Sequence, residues 1–141
     1  MIIQFLIGIA MTIVSITIGA LVIVLGAEQL QARESWLRRG ALLQKHVFVL
    51  AMMTTWLVFG MIIVMLIWAV ALHALGIFTS LEPALYFSII SVTTLGFGAV
   101  ILPDEWRLLS GFIAMDGFIL FGLNTAFLFE ALRRLRTDPH R

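Results

Sequence analysis

Over most of this chain, apolar residues do not alternate with polar ones at a helical or strand period. They run on with little interruption, as in segments that are apolar on every side. A hydrocarbon core about 30 Å thick is crossed by about 20 residues of helix at 1.5 Å each. Three runs reach that length: about Ile2 to Gly26, about His46 to Phe78 and about Leu108 to Leu132. The first is broken only by Gln4 and by Thr12, Ser15 and Thr17, whose hydroxyls can bond to carbonyls of their own helix. It lacks the basic start of a signal peptide and outruns a signal core, so a permanent helix is expected. The second is long enough to tilt. The third carries Asp116 and Asn124 within it.

A fourth apolar run differs in length. Ser80, Leu81, Glu82 and Pro83 read as a helix start: a capping hydroxyl, an acid in the first turn, and a proline where no backbone donor is missed. Ala84 to Thr93 then continues the apolar pattern. The eleven residues Pro83 to Thr93 make about 16 Å of helix, half a membrane. Thr94, Leu95, Gly96, Phe97 and Gly98 follow. A half-crossing helix with glycine-punctuated backbone after it predicts a re-entrant loop, tolerated at membrane depth only inside protein or beside water. Glycine takes the left-handed conformation without a side-chain clash. Gly96 and Gly98 can therefore alternate with Leu95 and Phe97, whose side chains are expected to point back into the packing. The carbonyls of Thr94, Leu95, Gly96 and Phe97 then face one way and can replace the hydration shell of a cation.

Composition agrees with a membrane protein. Of 141 residues, 62% are hydrophobic and 12% charged, about half the charged share of a soluble domain. The net charge of +1 gives no case for nucleic-acid binding. With no cysteine, disulfides and thiolate metal sites are excluded. Arg33, Arg38, Arg39 and Lys45 lie between the first two runs and Arg133, Arg134, Arg136 and Arg141 follow the third, leaving only Arg107 elsewhere. The positive-inside rule then puts residues 28–45 and the C-terminus in the cytoplasm, with the N-terminus and residues 79–106 outside. Segment 28–45 mixes Leu30, Trp36, Leu37, Leu42 and Leu43 with charges and reads equally as a surface helix or a solvated connector. No set of residues points to catalysis, a resident metal or phosphate binding, so no enzyme is expected. His46 and His73 fit proton sensing or interfacial anchoring, Asp104 and Glu105 fit cation gathering or plain solvation, and Trp106 fits an interface.

The segment TTLGFG resembles the potassium-channel signature of the form TVGYG, carried on four loops around the ion. The preceding ALYFSIISV is similar to that family's pore helix, the second run to its outer helix and the third to its inner helix, so the resemblance covers about residues 47–132. It implies two transmembrane helices with a re-entrant pore helix and a filter loop between them; the first run has no counterpart in the minimal two-helix pore, and with it the expected fold is an all-α membrane protein with three transmembrane helices. The implied assembly is a homotetramer in the plasma (inner) membrane, with K⁺ as permeant ion and no cofactor. The implied layout is an extra helix 1–27, a linker 28–45, a pore domain 46–132 and a basic tail 133–141. Within the pore domain the outer helix is 46–78, the pore helix 81–93, the filter 94–98 and the inner helix 107–132. K⁺ would be held by Thr94, Leu95, Gly96 and Phe97, with Gly98 closing the filter and Tyr86, Phe87, Ser91 and Thr93 in support. Gly117 falls at the hinge-glycine position, and Phe121, Gly122, Leu123, Thr125 and Ala126 match the cytoplasmic half of the inner helix. At 100° per residue Phe118, Phe121, Thr125 and Phe129 share one face, which suits a cavity lining with a hydrophobic constriction, or lipid and inter-helix packing.

The chain departs from the family pattern in ways that bear on function. Phe97 replaces the commoner tyrosine, Ala99 stands where an aspartate usually follows the last glycine, and Tyr86 and Phe87 stand where paired tryptophans often occur. Selectivity for K⁺ is expected to survive, with a filter less stable at low potassium. Asp116 lies nine residues from Thr125, or 180° after whole turns, and so points away from the cavity face. An acid at that depth is costly and is usually functional or paired. It is expected behind the filter, neutral or bonded to Ser88, Ser91, Thr93 or a hydroxyl of another span, or else simply satisfied in packing. The first helix could pack outside the outer helix and tie neighbours together, but the sequence alone does not place it. Beside the potassium channel stand a weakly selective cation channel and a non-conducting subunit of another transporter.

Overall fold

A computed structural model describes residues 2–32 and 42–136. They form four helices, α1 (Ile2–Ala32), α2 (Leu42–Ala74), α3 (Leu81–Val92) and α4 (Arg107–Arg136), with no strand among the described residues. The fold is all-α, and α1, α2 and α4 are long and apolar enough to cross a membrane.

The helix bounds shift from the sequence reading at several ends. α2 runs from Leu42 to Ala74, not 46–78. Its end is set by Gly76, whose φ of +70 turns the chain. The N–H groups of Gly76 and Ile77 donate to His73 O (3.0 Å) and Leu72 O (3.2 Å), a Schellman closure of the last turn. α1 continues to Ala32 because Glu28, Gln29, Leu30, Gln31 and Ala32 are good helix formers with no breaker among them. α4 runs on to Arg136, with Glu130 bonded to Arg133 (3.0 Å) and Arg134 (2.9 Å) on its surface. The expected linker and tail are shortened accordingly. The remaining linker residues 33–41, with the surface helix expected there, and tail residues 137–141 lie outside the described residues. α3 ends at Val92, and its N-cap is Ser80 as expected, although the Ser80 hydroxyl makes no capping bond.

α1 is built inside out. Among the described residues its buried positions are Gln4, Gly8, Thr12, Ser15 and Gly26, while Ile2, Ile3, Phe5, Leu6 and Ile13 are exposed. In lipid there is no hydrophobic force between helices, so association depends on small residues that admit close approach and on polar bonds. The small face lies against both α2 and α4, which places a helix that the sequence left unplaced. Gly8 lies against Phe112, Gly19 against Leu120 and Gly26 against Phe127, so α1 runs parallel to α4. Gly60 of α2 lies against Val22 and Trp56 against Gly26, so α1 and α2 are antiparallel. The Trp56 indole N–H donates to Val22 O at 2.8 Å.

The main core sits at the end of the bundle that carries α3. Val64, Trp68, Ala69 and Leu72 of α2, Ala84, Phe87, Ile90 and Val92 of α3, and Leu109, Ile113 and Leu120 of α4 are buried together. Phe78, just after α2, meets Phe87 with ring centroids 5.7 Å apart. α3 is thereby fixed between the two helices that precede and follow it.

Candidate pore loop and its support

α3 has 12 residues, about 18 Å of helix. Its last residue, Val92, lies against Gly117, ten residues into α4 and so about 15 Å from the start of that helix. The chain descends by α3 and returns to Arg107 through 93–106 without crossing the bundle. This is the re-entrant geometry that the length of the fourth apolar run predicted.

Backbone handedness alternates at the bottom of this hairpin. Thr94, Gly96 and Gly98 have φ of +57, +53 and +73, separated by Leu95 and Phe97. The left-handed glycines follow the sequence reading, whereas Thr94 was not anticipated. It closes α3 by a second Schellman motif: Thr94 N–H donates to Ser91 O (3.0 Å) and Leu95 N–H to Ile90 O (2.9 Å). Gly96 N–H shares the Ile90 carbonyl at 3.2 Å. A β-branched residue in this conformation is an outlier costing about 1–2 kcal/mol. It is held there by the three bonds that tie the loop to the end of the helix. Leu95 and Phe97, expected to turn back into packing, are 56% and 69% exposed. The loop lies at the surface of the single chain, which supplies no wall behind it.

The expected supporting residues divide. Phe87 is buried and Tyr86 is exposed. The hydroxyls of Ser88 and Thr93 donate to their own helix, to Ala84 O (2.8 Å) and Ile89 O (2.7 Å). Neither bonds to Asp116. That carboxyl is fully buried, and its Oδ2 accepts from the Ser15 hydroxyl of α1 and from the Trp68 indole N–H of α2 at 2.7 Å. Its partner hydroxyl therefore comes from another span. Ser15 was read as able to bond to its own helix; Thr17 does so, to Ile13 O at 2.7 Å, but Ser15 turns to Asp116. Three buried side-chain oxygens among the described residues have no partner: Gln4 Oε1, Thr12 Oγ1 and Asp116 Oδ1.

α4 presents two unlike faces. Leu109, Ile113, Asp116 and Leu120 are buried against the other helices, and Phe118, Phe121, Thr125 and Phe129 are exposed on the far side. The helix passes through Gly117 without a break. A Cβ at Gly117 would lie 2.0 Å from the Val92 carbonyl oxygen, so glycine is required there by backbone contact. The His73 ring Nδ1–H donates to Phe78 O at 2.9 Å, which anchors the turn after α2. Asp104 pairs loosely with Arg107 at 3.4 Å on the surface. No cluster of His, Asp or Glu suited to a metal occurs among the described residues.

Ser15, Trp68 and Val92 escaped the sequence reading as partners of the site. A signal was available for Ser15: Gln4, Gly8, Thr12, Ser15 and Gly19 recur at intervals of three and four, which places small and polar residues on one helical face. No spacing rule could have paired that face with Asp116, about a hundred residues away.

Four features now stand together: two long apolar helices, a half-length helix between them, a left-handed glycine loop, and an inner helix with one face free. They define a membrane pore of the two-helix, pore-loop kind. Residues 48–134 match the family model for ion channels, and the protein belongs to that family. The match covers more than half of the chain and leaves α1 outside it. No curated protein and no solved structure matches the chain.

Proposed function

We propose that four copies of this chain form a K⁺-selective channel. The observation that carries this reading is the alternation of left-handed backbone at Thr94, Gly96 and Gly98 directly after a half-crossing helix. A single loop cannot surround an ion, and closed rings of identical chains are the usual solution. In the ring, the carbonyls of Thr94, Leu95, Gly96 and Phe97 replace the water around K⁺, and neighbouring chains cover the exposed Leu95 and Phe97. Phe118, Phe121, Thr125 and Phe129 then line the cavity below, where three phenylalanines make a constriction able to close by dewetting. The negative end of the α3 dipole favours a cation at the cavity. The basic residues set the N-terminus outside and the C-terminus in the cytoplasm of a plasma membrane.

The test is reconstitution of the purified chain alone into liposomes. Thallium or rubidium flux is expected, abolished in Gly96→Ala, with reversal potentials in mixed salts that follow K⁺. A reversal potential that tracks Na⁺ equally well would assign a weakly selective cation channel, the reading that Phe97 and Ala99 favour. Absence of flux would assign a non-conducting subunit.

A further inference from the structure

α1 lies outside the ion-channel match, yet it supplies a donor to the most deeply buried acid of the pore domain. We infer that α1 is part of the filter support: Ser15, acting through Asp116, positions the inner helix against the pore helix and so sets the geometry of the filter. Ser15 and Asp116 are positioning residues in this scheme, and the inference rests on the pore reading proposed above.

The connection runs through contacts already described. Asp116 Oδ2 receives the Ser15 hydroxyl and the Trp68 indole, so one carboxyl oxygen joins α1, α2 and α4. The next residue, Gly117, touches the backbone of Val92 with no side chain between them. Val92 ends α3, and its neighbours Ile90 and Ser91 hold Thr94, Leu95 and Gly96 by backbone bonds. From Ser15 to the first filter residues there is therefore a continuous series of hydrogen bonds and backbone contact. Ser15 and Asp116 are the only side chains in that series; from Gly117 to the loop it is backbone throughout.

The geometry makes small displacements matter. The Cα atoms of a helix lie about 2.3 Å from its axis, so turning α4 by about 20° moves Gly117 by about 0.8 Å. Sites that discriminate by geometry need their groups held within about 0.5 Å. α1 also has an alternative it does not take. Six hydroxyls, on Thr17, Thr54, Thr55, Ser88, Thr93 and Thr125, donate to a carbonyl four residues back. Ser15 instead bridges to another helix. Asp116 has no other hydroxyl partner, and its Oδ1 is already without one. Losing Ser15 therefore leaves the carboxyl tied to α2 alone, through Trp68, and removes the bond that ties α4, and with it Gly117, to α1.

The experiment compares the full chain with Ser15→Ala, Ser15→Thr, Asp116→Leu, which keeps the shape and removes the acceptor, and the double variant Ser15→Ala/Asp116→Leu, all reconstituted side by side. Reversal potentials in K⁺ and Na⁺ give the permeability ratio, and flux per protein gives the active fraction. Ser15→Ala and Asp116→Leu are each expected to lower the K⁺/Na⁺ ratio at least threefold. The double variant is expected to be no worse than the more affected single one, and Ser15→Thr, which keeps the hydroxyl, to restore the wild-type ratio. A role confined to holding the fold would reduce the active fraction and leave the ratio of the surviving channels unchanged; that result overturns the inference. Additive losses in the double variant overturn it as well. Wild-type protein without K⁺ selectivity overturns the pore reading itself, whereas selective wild-type protein with a Ser15→Ala ratio equal to it overturns only the role of α1.

Discussion

Replacing Gly117 with alanine separates two roles that a glycine in an inner helix can play. If it serves only as a hinge, alanine removes flexibility and favours the helix by about 1 kcal/mol, the propensity difference between the two residues. If it is there for contact, the added Cβ lies 2.0 Å from Val92 O and 2.7 Å from Val92 C. Reaching even a tight 3.0 Å requires α3 and α4 to part by about 1 Å. Both surfaces are backbone, so no rotamer change relieves the overlap. Overpacking of a well-fitted site costs about 1–3 kcal/mol, and a clash with rigid backbone belongs at the upper end. Setting about 3 kcal/mol of strain against about 1 kcal/mol of helix propensity leaves a net loss of about 2 kcal/mol. That lowers the ratio of folded to unfolded chain by about thirtyfold. Denaturant titration in a detergent that keeps the chain monomeric, followed by tryptophan fluorescence, measures the difference. Gly122→Ala is the control, since a Cβ there meets nothing within 4 Å, and it is expected to be neutral or stabilising. A Gly117→Ala chain as stable as wild type, or more stable, would refute the contact role and leave the hinge.

Two further expectations follow from backbone and indole groups. Thr94→Gly removes a left-handed β-branched residue and is expected to stabilise the single chain by about 1 kcal/mol in the same titration. It also deletes the hydroxyl below the proposed filter, so flux is expected to fall; a Thr94→Gly chain less stable than wild type would contradict the strain at φ +57. Trp56→Phe deletes the donor to Val22 O and is expected to loosen α1 from α2 at a cost of about 1 kcal/mol. Faster amide exchange confined to the second half of α1 is the signature, and unchanged exchange there would count against it.

The number of crossing helices, the half-length of α3 and the left-handed glycines were legible in the sequence because each depends on local physics. Uninterrupted apolar length fixes what can span hydrocarbon, and a residue without a Cβ fixes where the chain can turn left-handed. The opposition of Asp116 to Thr125 was legible too, since it needs only the helical repeat, and the structure buries one and exposes the other. The ends of α2 and α4 were less so: Gly76 stops α2 at Ala74, four residues before the apolar run ends, and Glu130 pairs with Arg133 and Arg134, which lie beyond the end of the other run.

Tertiary structure alone decided the partners. Thr12, Ser15 and Thr17 look alike along the chain, yet one hydroxyl serves its own helix, one bonds to Asp116 and one has no partner. Their fates depend on which helix lies opposite, at distances in sequence that no periodicity spans. Thr94 became left-handed because Ile90 and Ser91 offered carbonyls to the turn, overriding a local preference for the opposite hand. Gly117 fits a hinge by position and a contact by its surroundings, and only the approach of Val92 distinguishes them. Sequence determined what each segment could be in a membrane, because that depends on its own length and composition; packing determined what each polar or small residue does, because that depends on its neighbour.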